Sequence, residues 1–272
     1  MRIHFLLLLV VTLFLGCNNP SSTNLNAAGD ELKIIQKQYA DSSSKMEIGE
    51  MYMGRTTIDL KWIEFEGGKE GVASKINATI ENEIIRGITS VSGTDKSTND
   101  SNPANIEAAA ASFISNYEQI NDEIGGEIPW QLSVYLNREY SSDKILSLHV
   151  NTESYTGGAH GYNGNYYLHF NPEIGDKIDI LTFISDTVAL KNLLAQNYRI
   201  KYNLKETDPM SMGGLFDMYY NVLPLPREMA FSTQGLIAIY NPYDIAPYFE
   251  GTIVLTLNQD EVKKVVKDGV KP

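Results

Sequence analysis

Cysteine and histidine are scarce in this sequence. One cysteine, Cys17, and four histidines occur in 272 residues. A lone cysteine cannot form an internal disulfide, and an exposed free thiol is a liability in an oxidising compartment. Three histidines, His149, His160 and His169, fall in or beside one predicted hairpin, which raises a metal-site hypothesis. The hairpin would place His149 and His169 on the same outer face and His160 at a tip roughly 30 Å away, which favours surface or partly packed histidines.

Catalytic sequence motifs are also missing. The sequence contains no G-x-S-x-G elbow, no H-E-x-x-H pair, no P-loop and no dinucleotide-binding fingerprint. Carboxylates are abundant, with 34 Asp and Glu residues, so a paired acid–base site is not excluded by counting. Because nothing singles out a pair, we predict no catalytic residue, no metal and no cofactor. A cell-wall hydrolase or deacetylase with an unrecognised site stays open as an alternative.

The apolar run at the start of the chain is short. It extends from Phe5 to Leu15 after the basic Arg2, whereas a membrane-spanning helix needs about 20 residues. This layout is typical of a secretory signal. Gly16 directly before Cys17 resembles a lipobox, although Phe14 occupies the position where leucine is usual. We predict a signal peptide at 1–16 and lipidation of Cys17; the alternative is an ordinary signal peptide with an incidental cysteine.

Lipidation of Cys17 would explain both the position of the only cysteine and its solitude. It would also remove cysteine catalysis and thiolate metal sites from consideration. Residues 17–30 are polar, small and nearly uncharged, which is typical of a flexible tether. No acidic run follows the cysteine, so we expect a cell-envelope protein that is anchored to a membrane by lipid and faces the periplasm.

Basic residues are few. Lys and Arg number 22 against 34 Asp and Glu, which gives a formal net charge of −12. Removal of residues 1–16 would take away Arg2 and leave a net charge of −13. Such a surface repels nucleic acid and anionic headgroups and attracts cationic partners. We therefore expect no nucleic-acid partner.

The folded part is predicted to start at residue 31 and to be α+β. Alternating apolar residues indicate strands, three of them consecutive and joined as an antiparallel meander, and a period of 3.6 indicates helices. We expect this antiparallel sheet to pack against the helices in two closely joined subdomains. The predicted strands are 32–39, 54–66, 130–137, 146–151, 166–171, 231–240 and 251–257, and the predicted helices are 71–88, 103–124 and 181–204.

Two segments rich in tyrosine, glycine and proline stand out from this pattern. The first, YTGGAHGYNGNYYLHF at 155–170, connects two strands of the meander, and the second is NPYDIAPYFEG at 241–251. Glycine pairs allow a tight turn with positive φ, while exposed backbone N–H groups and tyrosine faces could contact a ligand. Both roles stay open. The candidate ligand-binding residues are Tyr155, Gly157, Gly158, His160, Tyr162, Tyr243 and Tyr248.

These two segments also carry a family resemblance. YTGGAHGYNGNYYLHFN and FSTQGLIAIYNPYDIAPYFEGTIVLTL resemble an uncharacterised bacterial extracytoplasmic domain family, and KWIEFEGG with VASKINATIENEI resembles its companion domain. The resemblance implies a subdomain of the deacetylase-associated type at 31–125, a GGAH/YDIAPY subdomain at 126–262 and a tail at 263–272.

The resemblance also implies a class of function. This domain pair forms the extracellular part of a lysozyme-binding anti-sigma factor and accompanies the catalytic domain of a peptidoglycan deacetylase. The sequence shows no metal-binding Asp and His motifs of such a deacetylase. The resemblance therefore implies a non-catalytic binding or sensing module, for lysozyme or another cationic protein. The alternative is a module for peptidoglycan or another glycan.

Overall fold

The computed structural model describes residues 31–48, 53–92, 103–125, 128–219 and 222–270. The predicted signal peptide 1–16 and the tether 17–30 with Cys17 lie outside the described residues. Within those ranges no helix is both long and apolar enough to cross a membrane. The α+β class predicted from the sequence is confirmed.

The described residues form ten strands and four α-helices, joined by loops and short 3-10 turns. The strands are β1 (Leu32–Ser42), β2 (Glu47–Ile48), β3 (Met53–Gly54), β4 (Thr57–Gly67), β5 (Gln131–Ser141), β6 (Leu146–Tyr155), β7 (Tyr162–Phe170), β8 (Glu228–Ser232), β9 (Gly235–Tyr240) and β10 (Ile253–Asn258). The helices are α1 (Val72–Val91), α2 (Ile106–Ile124), α3 (Thr187–Lys201) and α4 (Gln259–Val262).

The larger sheet has five strands in the order β1-β4-β5-β6-β7. Strands β5, β6 and β7 pair antiparallel as neighbours, as the predicted meander requires. Strand β4 pairs parallel with β5, and the intervening α1 and α2 supply the long crossover that a parallel pair needs. The sequence pattern did not indicate this parallel pair, because alternation alone does not specify which strand lies beside which.

One face of this sheet is covered by α1 and α2. Helix α1 buries Val72, Ile76, Ile80, Ile84 and Ile88 at the predicted helical spacing. Helix α2 begins at Asn105, whose side chain accepts a hydrogen bond from the Ala108 N–H as an N-cap. Trp130 packs against two rings of α2, those of Phe113 at 5.6 Å and Tyr117 at 5.7 Å between centroids. An apolar core therefore lies between the helices and the sheet.

A second, smaller sheet has the order β10-β9-β8, and α3 packs against it. Strands β8 and β9 form a hairpin instead of the single strand predicted at 231–240. Gly235, the first residue of β9, has φ +140°, and a Cβ there would lie 2.0 Å from the backbone oxygen of Leu257. Only glycine fits this position, and its role as a turn residue divides the apolar run into two strands.

Strand β8 packs against part of the other face of the larger sheet. It contacts β5, where the Phe231 and Tyr140 rings lie 6.2 Å apart, and β7, where Glu228 accepts the N–H of Tyr167. The first core contains side chains from Ile58 to Phe170, and the second contains side chains from Ile145 to Val265. Hence the five-stranded sheet draws strands from both predicted subdomains, 31–125 and 126–262.

Candidate functional site

The loop between β6 and β7 contains the GGAH segment. Gly157 and Gly158 have φ of 92° and 90°, a left-handed conformation that side chains rarely adopt. Nothing lies within 4 Å of a Cβ built on either residue, so backbone conformation, and not space, requires glycine here. The Tyr155 hydroxyl donates to the Gly158 carbonyl at 3.0 Å and closes the turn. The two glycines and Tyr155 thus shape the loop.

The loop between β9 and β10 contains the NPYDIAPY segment. The Asp244 N–H donates to the Asn241 carbonyl at 3.0 Å, and the Asn241 N–H donates to the Asp244 carboxylate at 2.7 Å. Tyr243, between them, has φ 72°, which is uncommon for a residue with a side chain and clusters at functional sites. This turn presents the Tyr243 ring to solvent.

The two loops meet at His160. Its ring stacks on Tyr248 with centroids 3.8 Å apart and an interplanar angle of 19°. His160 Nδ1 donates to the Gly161 carbonyl at 2.9 Å, which leaves Nε2 to accept a hydrogen bond from the Tyr243 hydroxyl at 3.3 Å. The Tyr248 hydroxyl donates to the same Gly161 carbonyl at 2.8 Å. Tyr243 thus contacts His160, which lies 83 positions earlier in the chain, and Tyr248 contacts Gly161, which lies 87 positions earlier.

Between the loops lies an open groove of about 150 Å³, here called the aromatic groove. Of the seven candidate residues, five line it, while Tyr155 and Gly158 support the loop from behind. Among the described residues, no lysine, arginine, aspartate or glutamate lines it. The lining residues are Ser154, Thr156, Gly157, His160, Gly161, Tyr162, Pro242, Tyr243 and Tyr248.

The outer edge of β7 is tied to the second sheet by side chains. The Asn165 N–H donates to Asn241 Oδ1 and Asn241 Nδ2 donates to the Asn165 carbonyl, both at 2.7 Å. Two residues further on, the Tyr167 N–H donates to the Glu228 carboxylate at 2.9 Å. These side chains occupy backbone positions that a further strand would pair with, so the edge is closed and the two loops are held in register.

A second groove, of about 560 Å³, lies beside the first and shares Tyr162 with it. The Tyr162 ring lies over Gly164, where a Cβ would come within 2.2 Å of the tyrosine hydroxyl. We call this second groove the polar groove, because most of its wall is polar. It is lined by Glu83, Arg86, Gly87, Ser90, Val91, Thr152, Tyr162, Gly164, Asn165, Tyr166, Tyr167, Leu168, Lys177, Arg227, Glu228 and Asn241.

The two carboxylates of the polar groove have pKa values displaced in opposite directions. Burial alone would raise the pKa of Glu83, but hydrogen bonds from Arg86 and Lys177 outweigh it and lower the pKa below its usual value. Burial raises the pKa of Glu228, and the hydrogen bond from the Tyr167 N–H offsets only part of that effect. Glu83 is therefore the firmly ionised carboxylate of the pair.

Sequence reasoning missed the polar groove. Glu83 and Arg86 are on the polar side of α1, which is the pattern of any solvated helix face. Lys177 and Arg227 lie in connections far along the chain, and Glu228 is the first residue of β8. No motif or spacing links these residues, so no sequence signal could have brought them together.

His149 and His169 share one face of the sheet, as predicted, but that face is not an outer one. The Tyr167 ring lies between them, with centroids 5.1 Å from His149 and 6.1 Å from His169. His169 is buried and its Nδ1 shares a hydrogen bond of 2.9 Å with the Ser147 hydroxyl. Burial lowers the pKa of His149, and it lowers that of His169 to about 4. The described residues contain no group of three or more His, Cys, Asp or Glu side chains that could hold a metal ion.

Comparison with known families matches adjacent segments of the chain. Residues 54–163 match the family described as deacetylase PdaC, and residues 183–260 match a protein family of unknown function, DUF3298. The domain pair is thereby confirmed, and the YDIAPY segment lies in the DUF3298 match, whereas the GGAH segment, expected in the second domain, lies in the PdaC match. No curated protein matches the chain.

Two solved structures share this architecture. A DUF3298 family member from Bacteroides fragilis is 14% identical, with a TM-score of 0.65 over 90% of this chain and 96% of the other. A DUF3298 family protein from Pseudomonas aeruginosa is 15% identical, with a TM-score of 0.57 over 88% of this chain and 96% of the other. At these identities the likeness concerns the fold.

Proposed function

We propose, from a chain that pairs a PdaC-type segment with a DUF3298-type segment, that this protein is a non-catalytic binding module of the cell envelope and contacts its ligand in the aromatic groove. One observation carries the proposal: two loops distant in the chain converge, and His160, Tyr243 and Tyr248 line one open groove. A role in turn geometry alone requires neither the meeting of the loops nor the exposure of Tyr243.

The ligand class that this groove fits best is a glycan. Its wall offers flat aromatic faces, tyrosine hydroxyls and backbone groups, and none of the described residues that line it is an Asp, Glu, Lys or Arg. Flat rings can stack on the apolar face of a sugar while hydroxyl groups exchange hydrogen bonds at the rim. Peptidoglycan is the glycan that a periplasm-facing module would meet, so we propose it as the ligand.

Binding to peptidoglycan tests this proposal. The purified chain should co-sediment with cell-wall sacculi and bind soluble muropeptides in calorimetry. Tyr243→Ala should weaken binding about threefold to tenfold, the equivalent of about 0.5–1.5 kcal/mol for a lost aromatic contact. Phe249→Ala is the matched control, because Phe249 is 81% exposed but does not line the groove. Absence of sacculus binding, or equal loss in both variants, would contradict the proposal.

A second candidate ligand is a cationic protein such as lysozyme. The observation that favours it is the net charge of −12, because long-range attraction steers oppositely charged proteins together. In this case micromolar purified protein should lower lysozyme activity, and the effect should weaken with increasing salt as the charges are screened. Unchanged lysozyme activity would remove this candidate.

The envelope location is part of the proposal. We propose that Cys17 carries a lipid that holds the chain at the membrane, facing the periplasm. Cys17→Ser should then move the protein from the membrane fraction to the soluble fraction and abolish metabolic labelling with palmitate. A variant that stays with the membrane would contradict the anchor.

A further inference from the structure

The aromatic groove adjoins the polar groove at Tyr162. This residue lines both grooves, and its ring lies over Gly164. At about 150 Å³ the aromatic groove is smaller than ligand pockets commonly are, whereas the polar groove, at about 560 Å³, falls within the usual range of about 300–1,000 Å³. A ligand that enters the aromatic groove therefore has room to extend past Tyr162.

The polar groove presents cations in front of its ion-paired carboxylate. Arg86 Nε donates to Glu83 at 2.8 Å and Lys177 Nζ donates to its other oxygen at 3.1 Å. The Glu83 side chain is only 16% exposed, while Arg86 and Lys177 are 67% and 54% exposed. A ligand that approaches this wall therefore meets the guanidinium and the ammonium before it meets the carboxylate.

Arg227 adds a third cation to the same groove. It is exposed, and within the described part of the chain its side chain has no hydrogen bond and no ion pair. The neighbouring Glu228 accepts the Tyr167 N–H and feels the charge of Arg227, which opposes the rise in pKa that burial causes, but the two side chains do not form an ion pair. A guanidinium that is free in a groove can bind a carboxylate with two parallel hydrogen bonds.

The local charge is thus opposite to the charge of the whole chain. Three cations and two carboxylates line the polar groove, while the chain carries a net charge of −12. An anion is repelled by most of this surface but is favoured here.

We propose that the two grooves form one continuous site for an oligosaccharide that carries a carboxylate. One sugar ring occupies the aromatic groove, the chain passes Tyr162, and the carboxylate of a neighbouring sugar binds Arg227 with support from Arg86 and Lys177. This inference rests on the proposed glycan-binding function and specifies its substrate class. In such a site, Arg227 would distinguish an acidic glycan from a neutral one by binding its carboxylate.

Two matched tetrasaccharides test the inference by calorimetry. One is the neutral tetramer of N-acetylglucosamine, and the other is the peptide-free tetramer in which N-acetylglucosamine alternates with the carboxylate-bearing N-acetylmuramic acid. The native chain should bind the acidic tetramer at least about tenfold more tightly, as expected for a charge-assisted hydrogen bond. Arg227→Gln should remove this preference, because it should lower the affinity for the acidic tetramer about tenfold more than the affinity for the neutral one.

Three further measurements keep the outcome specific. Arg227→Lys should retain part of the preference, because it keeps the charge but not the fork of donors. Lys264→Gln makes the same charge change at an exposed residue that lines neither groove, so it should retain the full preference. Increasing salt should weaken binding of the acidic tetramer more than that of the neutral one.

The failures of the two proposals are distinguishable. If the native chain binds both tetramers equally and Tyr243→Ala weakens both, glycan binding in the aromatic groove stands and the carboxylate subsite is overturned. If Arg227→Gln folds normally and keeps the preference, the subsite is likewise overturned. If the native chain binds neither tetramer nor sacculi, the glycan proposal and this inference fall together.

Discussion

The two faces of the five-stranded sheet are built by alternate residues of the same strands, yet they are chemically different. On β6, Leu148 and Val150 point to the helices and are fully buried among apolar side chains. Between and beside them, Ser147 and His149 point to the other face, where β8 and its loops lie. The comparison shows that one strand can serve a core and a polar joint at once, because side chains alternate across it.

The face of the sheet that α1 and α2 cover, here called the helix face, is stabilised by the burial of apolar side chains. Its contacts are made by aliphatic and aromatic side chains, which gain free energy in proportion to the apolar area removed from water. None of the buried residues of this core carries a group that titrates near neutral pH. We therefore expect this face to contribute the same stability from acid to neutral pH.

The opposite face is stabilised by satisfied polar groups. Ser147 and His169 share a buried hydrogen bond, and His149 shares one of 3.1 Å with Asn165. Buried polar groups cost free energy when they lose their partners, so the stability that this face contributes depends on the protonation state of its histidines. The junction between the two sheets is therefore the part of the fold whose stability depends on pH.

The largest expected difference between the faces comes from adjacent residues. Leu148→Ala should lower the free energy of unfolding by about 2–5 kcal/mol, because it leaves a cavity in the apolar core. Ser147→Ala, one residue away on the other face, removes one hydrogen bond and should cost about 1 kcal/mol. Urea denaturation of both variants measures this. Equal costs would contradict the distinction between the faces.

The second prediction concerns pH. The pKa of His169 is about 4 in the folded chain against 6.5 for an unburied histidine, and that of His149 is also lowered. Well above pH 6.5, His169 is neutral in both the folded and the unfolded chain, so its titration does not affect the free energy of unfolding. As pH falls from 6.5 to 4 the unfolded state gains the proton first, so stability should fall by about 3 kcal/mol for His169.

Denaturation at pH 7.5 and pH 4.5 checks this prediction. His169→Gln can still hydrogen-bond Ser147 but cannot titrate, so its stability should change less between the two pH values. Nearby carboxylates act in the opposite sense: Asp179 raises the pKa of His169 and Glu139 raises that of His149, but burial is the larger effect on both. An undiminished loss in His169→Gln would show that other groups control the junction.

The smallest expected effect is at the edge of the joint. Asn241→Ala removes two hydrogen bonds to the backbone of Asn165, which should cost about 1–2 kcal/mol. Amide exchange of Asn165 should accelerate, because its N–H loses the acceptor. Asn137→Ala is the control, since Asn137 is exposed on β5, which is separated from β7 by β6. Equal exchange rates in the two variants would show that Asn241 does not close the edge.

The helix face could be predicted from the sequence because its apolar residues recur at a regular spacing. Leu132, Val134 and Leu136 alternate with polar residues and are all buried, and Phe113 and Tyr117 of α2 face inward as expected. Burial against one partner surface selects apolar residues at a fixed spacing, and that spacing is visible without the structure.

The second face and the grooves could not be predicted in this way. The spacing that identified His149 and His169 as neighbours gave no sign that β8 covers them, because polar residues on a strand are equally typical of a solvated face. The pairing of His160 with Tyr248 joins loops from two sheets, and nothing local to either loop specifies the other. The division of 231–240 into a hairpin depended on the close approach of Leu257 to Gly235, a contact outside the run itself.

The meeting of the two loops has a mechanical consequence. Strands β6 and β7 contribute to the first core and β9 and β10 to the second, so a ligand in the aromatic groove would contact loops that are anchored in both cores. Such a ligand would stabilise the contact between the two cores. At a concentration 100 times its dissociation constant, it would add about 2.7 kcal/mol to the free energy needed to separate them. When the ligand-free protein is stretched between its two ends, we expect it to unfold in two steps, with the junction between the sheets breaking first. We expect the ligand-bound protein to unfold in one step, with both cores unfolding together.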